Sequence, residues 1–372
     1  MKLPPSRLLS RLDTDIAAER DPLRADLLRA ERAAYFVRQG QSDLAKSELT
    51  ALHQKYDGRP NVEMSAWLSL ADSLASYFSD MGPAALDKMR RSRALSEAAG
   101  LSQLQATSAA WLAQMDYLRL DLRAMTVHLE QSFRLATPAN NAALSRANLV
   151  VAQGFHTAQR LDLALPWYER SRRCALDEGD DATLSALMHN MASIRAGNMR
   201  RAELTGSSDR GEGEHALMAA ESTWAFDQLV GASSLDSYVP LLHAQILTVQ
   251  GKLQFALELY EKHLGSGVGQ GLGRMHGTFL ADQAWCRVNL QQPDAARQDA
   301  VEAQRHLELD GNCDDRAPGF SRLAKVFALL GEYEASAKNE RLAAYMWESQ
   351  AKICEGLVDA LTPIAHLYSS LD

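Results

Sequence analysis

No apolar stretch in this 372-residue chain approaches the roughly 18 uncharged residues that a membrane-crossing helix needs. The opening residues, Met1 to Leu12, lack both an apolar core and a small-residue cleavage site, so they do not read as a secretory signal. Cysteine is scarce: Cys174, Cys286, Cys313 and Cys354 stand far apart with no C-x-x-C pair. They read as reduced thiols, and the expected compartment is the cytoplasm. Basic stripes are missing as well. The net charge is −8, and runs such as Arg90-Arg91-Ser92-Arg93 are too short to neutralise a phosphate backbone, so nucleic acid is not expected as a direct partner. Strand signals are absent too: no β-branched alternation bounded by hairpin turns occurs, and Val and Ile are few beside Ala and Leu.

Catalytic and metal signatures fail one by one. The glycine run over 265–273 has no strand before it and no Gly-Lys-Ser/Thr after it, only Arg274-Met275-His276, which makes it a flexible joint. Asp310-Gly311-Asn312-Cys313-Asp314-Asp315 begins like a calcium loop. It carries Asp315 where the turn needs glycine and Ser321 where the bidentate glutamate belongs. Asp177 to Asp181 reads as a solvated acidic turn. The ten histidines form no His-Glu-x-x-His motif and no cluster with cysteine. His243 falls at a core position and is expected there as a buried neutral ring bonded to a backbone carbonyl. No Gly-x-Ser-x-Gly elbow precedes a helix. No catalytic residue, cofactor or metal site is therefore expected, and the chain reads as a non-enzyme.

What the chain has is a period. Ala45, Ala85, Met125, Leu165, then Ala216, Ala256, Ala296 and Ser336 stand forty apart, except for a gap of 51 that is one period plus an insertion of eleven. A fixed period of this size marks a repeat protein, each unit one supersecondary element stacked on its neighbours. The unit is a helical hairpin. In the last, Leu323, Val326, Phe327 and Leu330 recur at three- and four-residue steps, and Gly331 supplies a left-handed stop before a second helix begins near Tyr333. Phe36 to Ala45 repeats the grammar with Ser42 as N-cap. Pro83 and Pro293 fall in the first turns of second helices, while Asp21-Pro22 and Thr137-Pro138 look like starts of first helices. A small residue belongs where two helices cross closely, which explains the ladder.

The expected architecture is all-α: about eight antiparallel hairpins. Residues 1–21 form an N-terminal capping helix and residues 22–264 repeats one to six, with a polar insertion loop over 204–214 in the fifth. A glycine-rich joint covers 265–277, repeats seven and eight cover 278–357, and a C-terminal capping helix covers 358–372.

Ala244, Gly251, Ala256 and Tyr260, and again Ala324, Gly331 and Tyr333, resemble the tetratricopeptide repeat. The period of forty departs from that family's roughly 34, most units lack its closing proline, and Glu340 stands where an aromatic belongs. Long hairpins of this kind are similar to the sensor region of maltose-regulator-type activators. They also resemble the helical regions preceding diguanylate cyclase domains, and the peptide-sensing regulators of Gram-positive bacteria. The resemblance implies a right-handed superhelical solenoid that binds a peptide, protein or small effector on its concave side. It carries over no catalytic residue, and no output domain is recognisable.

Polar residues of first helices would line that inner wall. Asn148 and Asn190, 42 apart, offer amide donors and acceptors to an extended backbone, flanked by Arg146, Gln153 and His189, with Gln245 and Lys325 further along. The six tryptophans lie in helical stretches; most read as core, with one or two available as binding anchors. The expectation is a scaffold gripping a protein or peptide partner in its groove. The alternative is a small-ligand or peptide sensor that controls an output domain or protein.

Overall fold

The computed structural model describes residues 6–80, 83–206, 212–233, 238–267, 273–309 and 311–368. Among the described residues there are seventeen α-helices, a 3-10 turn at Gly273–Met275 and no strand. None of these helices is long and apolar enough to cross a membrane. Residues 207–211 of the polar insertion and 268–272 of the glycine-rich segment lie outside the described residues. So does Asp310 of the calcium-like loop.

The chain forms two compact units. Unit 1 comprises Met1–Leu187, Phe226–Ser234 and Cys354–Asp372; unit 2 comprises Met188–Ala225 and Leu235–Ile353.

Unit 1 opens with α1 (Arg7–Ala18) and continues in hairpins: α2 (Pro22–Gln39) with α3 (Ser42–Tyr56), and α4 (Val62–Asp80) with α5 (Pro83–Ala98). Then come α6 (Ser102–Leu118) with α7 (Leu122–Leu135), and α8 (Asn141–Thr157) with α9 (Leu161–Glu178). Within it the first helices lie side by side, α2 against α4 and α6 against α8. Of the ladder positions, Ala45 and Ala85 are buried as expected, and so is Met125, one of the two large residues that break the pattern. Leu165 is a correction. It is 49% exposed, and its neighbour Ala164 takes the crossing with no exposure. One residue of helix turns a side chain by about 100°, so a slip of one position moves the leucine from crossing to surface.

Unit 2 holds the later hairpins. The greater part of α10 (Asp181–Thr205) meets α11 (Glu212–Val230) through Ala192, Ala196, Ala216 and Ala220. Next are α12 (Tyr238–Val249) with α13 (Leu253–Gly267), α14 (His276–Asn289) with α15 (Pro293–Leu309), and α16 (Cys313–Leu329) with α17 (Tyr333–Tyr368). Its main core gathers Leu241, Ala256, Tyr260, Phe279, Ala296, Phe320, Leu323 and Phe327. Ser336 fills the last crossing and satisfies its hydroxyl by donating to the Ala324 carbonyl at 2.9 Å.

Local signals explain most helix ends. Asp21 caps α2 by accepting from Leu23 N at 3.0 Å, and Pro22 follows as the first helical residue. Gly331 takes φ +77°, and Glu332 N donates to the Phe327 carbonyl at 2.9 Å, closing α16 in a left-handed stop. Two starts differ from expectation. Thr137-Pro138 lies in the turn, and Asn140 caps α8 by accepting from Ala143 N at 3.2 Å. Ser42 is the first residue of α3 and makes no cap. His243 is half-buried, with burial lowering its pKa toward the neutral ring, but it makes no bond to a backbone carbonyl.

The chain's last element differs most. Thr362-Pro363 starts no separate helix: of the expected capping helix over 358–372, residues 358–368 continue α17, which runs 36 residues with Pro363 inside it, and residues 369–372 lie outside the described residues. Proline there removes one backbone hydrogen bond. Burial of Leu357, Leu361 and Ile364 in unit 1 offsets that loss.

Candidate functional site

Four first helices of unit 1 line one recess of about 210 Å3. Their contributions follow the helical repeat. Glu31, Tyr35 and Arg38 come from α2, and Trp67, Leu70 and Leu74 from α4. Gln103, Thr107 and Trp111 come from α6, and Asn141 and Arg146 from α8. Steps of three and four residues aim each set along one helix face. Glu178 and Asp180, where α9 gives way to α10, complete the wall.

Most of the polar wall is internally satisfied. Arg38 Nη1 donates to Asp180 Oδ2 at 2.7 Å and to Thr183 Oγ1 at 3.1 Å. Asp180 also caps α10, accepting from Thr183 N at 3.0 Å and from its hydroxyl at 2.8 Å. Burial alone would push the Asp180 carboxyl up, but Arg38 and these bonds outweigh it and hold the pKa below the usual carboxylate range. The Tyr35 hydroxyl donates to Ser6 Oγ at 2.6 Å and accepts from Gln39 Nε2 at 2.7 Å. Burial, with Asp180 adding to it, pushes Tyr35 up to about 12.

Two charges in the same wall have no such company. Arg146 is 6% exposed, yet among the described residues it makes no hydrogen bond or ion pair, and its Nε is an unpartnered donor. Its guanidinium lies over Trp111, with the central carbon 3.9 Å from the ring centroid. Burial, and after it the nearby Arg38, pushes the guanidinium down to about 10, which leaves it cationic at neutral pH. Glu31 is the second. Solvent reaches part of the residue, but its carboxyl has no hydrogen bond or ion pair among the described residues. Burial and the neighbouring Glu178, itself paired with Arg11, push Glu31 up to about 7.

Unit 2 shows how this protein otherwise treats buried arginines. Arg200 Nη2 donates to Asp282 Oδ1 at 2.9 Å, and Arg322 Nε reaches the same oxygen at 3.0 Å. Arg322 also donates to both Glu203 oxygens, at 3.1 and 2.7 Å, and Lys325 lies 3.4 Å from Glu203. Burial works against the Glu203 carboxylate, but Arg322 and Lys325 lower its pKa overall. The network is charge-balanced to within one unit and reads as structural.

The expected binding residues are thus divided. Arg146 lines the recess of unit 1, while Asn148 and Gln153 are buried elsewhere on α8. In unit 2, His189 packs beside Tyr238 with ring centroids 6.1 Å apart, Gln245 is buried on α12, Asn190 is half-buried on α10, and Lys325 belongs to the Glu203 network. Asn148 and Asn190 fall in different units. Sequence reasoning missed Glu31 and Arg38, and it read Asp180 as part of a solvated turn, whereas Asp180 is buried and paired with Arg38. The one available signal was the spacing of Glu31, Tyr35 and Arg38 on a single helix face. Trp67 and Trp111 are the two tryptophans that the recess uses.

A cationic fork, a carboxyl near neutrality and two indole faces suit the recess to holding a charged organic group. Among the described residues, no group of three or more His, Cys, Asp and Glu side chains could hold a metal ion. Neither a protein-family model nor a curated protein matches the chain in sequence. Among solved structures, a Rap protein complexed with competence and sporulation factor is similar to it, with a TM-score of 0.58 and 12% identity over 93% of this chain and 98% of that one. The likeness is one of fold, and the fold is a tetratricopeptide-like all-α helical repeat.

Proposed function

We propose that this protein is a non-enzymatic helical-repeat binding module, acting in the cytoplasm, that holds a peptide or a segment of a partner protein in the recess of unit 1. The observation that carries this reading is Arg146: a buried guanidinium stacked on Trp111, facing a recess, with no counter-charge of its own. A buried charge without a partner costs several kcal/mol, on the order of what a ligand returns when it completes the pair. Trp67 and Trp111 add apolar area of the kind that dominates binding surfaces. The similar fold of the Rap protein, solved in complex with competence and sporulation factor, supports a binding role for such hairpins.

A second reading makes the protein a sensor that controls an output domain or protein, in the manner of the maltose-regulator-type activators. The small volume of the recess, about 210 Å3, favours it where the occupant is a free small molecule. One experiment addresses both. The full chain is incubated with a random pentapeptide pool, separated by gel filtration, and the retained peptides are identified by mass spectrometry. Peptides recovered intact, and lost when Thr107→Trp fills the recess of a folded variant, are the expected result. Cleaved peptides would point to an enzyme instead, and no retention would remove the peptide-binding reading.

A further inference from the structure

Three arginines are buried among the described residues of this protein: Arg146, Arg200 and Arg322. Two of them share Asp282, and one of those also grips Glu203. Only Arg146 is left with no acid. Trp111 lies against the guanidinium, and the fork's N–H donors make no hydrogen bond among the described residues. A planar fork of donors matches a carboxylate in geometry as well as in sign.

The recess sets the size of what enters. About 210 Å3 is the liquid volume of roughly seven waters, and it is smaller than the roughly 300–1,000 Å3 of drug-sized pockets. A space of that size suits a short terminal group. The same wall carries Glu31, an acid without hydrogen bond or ion pair whose neighbour Glu178 is already taken by Arg11. Arg38 uses Nη1 for Asp180 and Thr183, and although Arg11 and Arg38 both favour the Glu31 carboxylate from a distance, neither forms an ion pair with it. One guanidinium and one carboxyl, neither with a hydrogen bond or ion pair among the described residues, therefore line one small space.

We propose that the recess takes the C-terminal end of a short peptide, with the α-carboxylate on the Arg146 guanidinium and a cationic group of the same ligand, a lysine or arginine at or next to the end, against Glu31. The assignment rests on the peptide-binding reading above and refines it. Trp111 holds the guanidinium in place before the ligand arrives, and Trp67 offers an apolar flank to the last side chain.

The test uses the full chain and two random pentapeptide pools that differ only in their ends, one with free C-terminal acids and one with C-terminal amides. Free lysine and arginine serve as further probes. The free-acid pool should be retained at least tenfold better than the amide pool, with lysine and arginine enriched in the last two positions. Arg146→Gln should abolish that preference, Arg146→Lys should weaken it, and Glu31→Gln should remove the basic enrichment while leaving the free-acid preference. The comparison of pools on the unaltered protein stands even if an Arg146 variant fails to fold. Equal retention of both pools overturns this assignment and leaves peptide binding intact; retention of neither overturns the peptide-binding reading itself. If the amide pool yields only peptides rich in Asp and Glu, the carboxylate comes from side chains and the chain-end assignment fails. If the free amino acids compete as well as the peptides do, the ligand is a single amino acid and the peptide assignment fails.

Discussion

Glu31 is the residue with the clearest measurable signature. Its carboxyl is pushed up to about 7 in the folded protein by burial and by Glu178, against about 4.3 for a free glutamate. The sign follows from proton binding. Below pH 4.3 both states are protonated and nothing is lost. Between about 4.3 and 7 the unfolded chain releases a proton that the folded chain retains, so folding stability declines as pH rises, and above 7 the decline is complete. Screening by the solvent that reaches the side chain limits the effect to about 2 kcal/mol. Glu31→Gln removes the ionisable group, so its melting temperature should rise above that of the parent at pH 8 and converge with it at pH 4. A difference that does not change with pH would show that the carboxyl is not strained. Arg146 was legible as a polar first-helix residue, but its surroundings were not. Asp180 reaches Arg38 across 142 residues, and no local pattern announces a pair at that distance.

At the scale of the element, the hairpins were legible because the small residues at their crossings obey a local rule. Most crossings take a residue no larger than alanine or serine, Met125 being the exception, and the period repeats that requirement. The failures also have physical causes. Leu165 misled because Ala164 beside it supplies the small side chain. Thr137-Pro138 misled because Asn140 offers a better side-chain cap three residues later. Thr362-Pro363 carries a start signature that tertiary burial overrides. The packing of α8 shows how tightly that last segment is held. A Cβ on Gly154 would run into Leu361 Cδ1 and touch Leu357. Gly154→Ala gains about 1 kcal/mol of helix propensity but overpacks a closed contact by about 1–3 kcal/mol. A net loss of up to about 2 kcal/mol in denaturant unfolding is expected. In a Leu361→Ala background the clash is gone, and the same Gly154→Ala change should become neutral or stabilising. An effect of equal size in both backgrounds would mean that the two residues do not press on each other.

For the molecule as a whole, the arrangement of the chain is less local than a pure repeat requires. An array of hairpins should depend only on neighbours in sequence. Here unit 1 is built from its first 187 residues together with Phe226–Ser234 and Cys354–Asp372. Ser233 N donates to the Gln39 carbonyl at 3.0 Å, and the Asp227 carboxylate accepts from Ser185 Oγ at 2.6 Å. At the far end of α17, Tyr368 stacks on Phe133 at 4.9 Å, and Cys354 Sγ donates to the Thr157 carbonyl at 3.5 Å. Leu357, Leu361 and Ile364 are all but fully buried there. At about 1.5–3 kcal/mol for each such side chain, the three contribute about 5–9 kcal/mol, comparable with the roughly 5–15 kcal/mol that holds a domain folded. Deleting residues 354–372 should therefore unprotect α7, α8 and α9 in hydrogen exchange, although the deleted segment lies some 200 residues away in sequence. A synthetic peptide of residues 354–372 added in trans should restore the protection. If α8 keeps its slow exchange without the segment, unit 1 closes on its own hairpins, and the far end of α17 is only an ornament on a finished core.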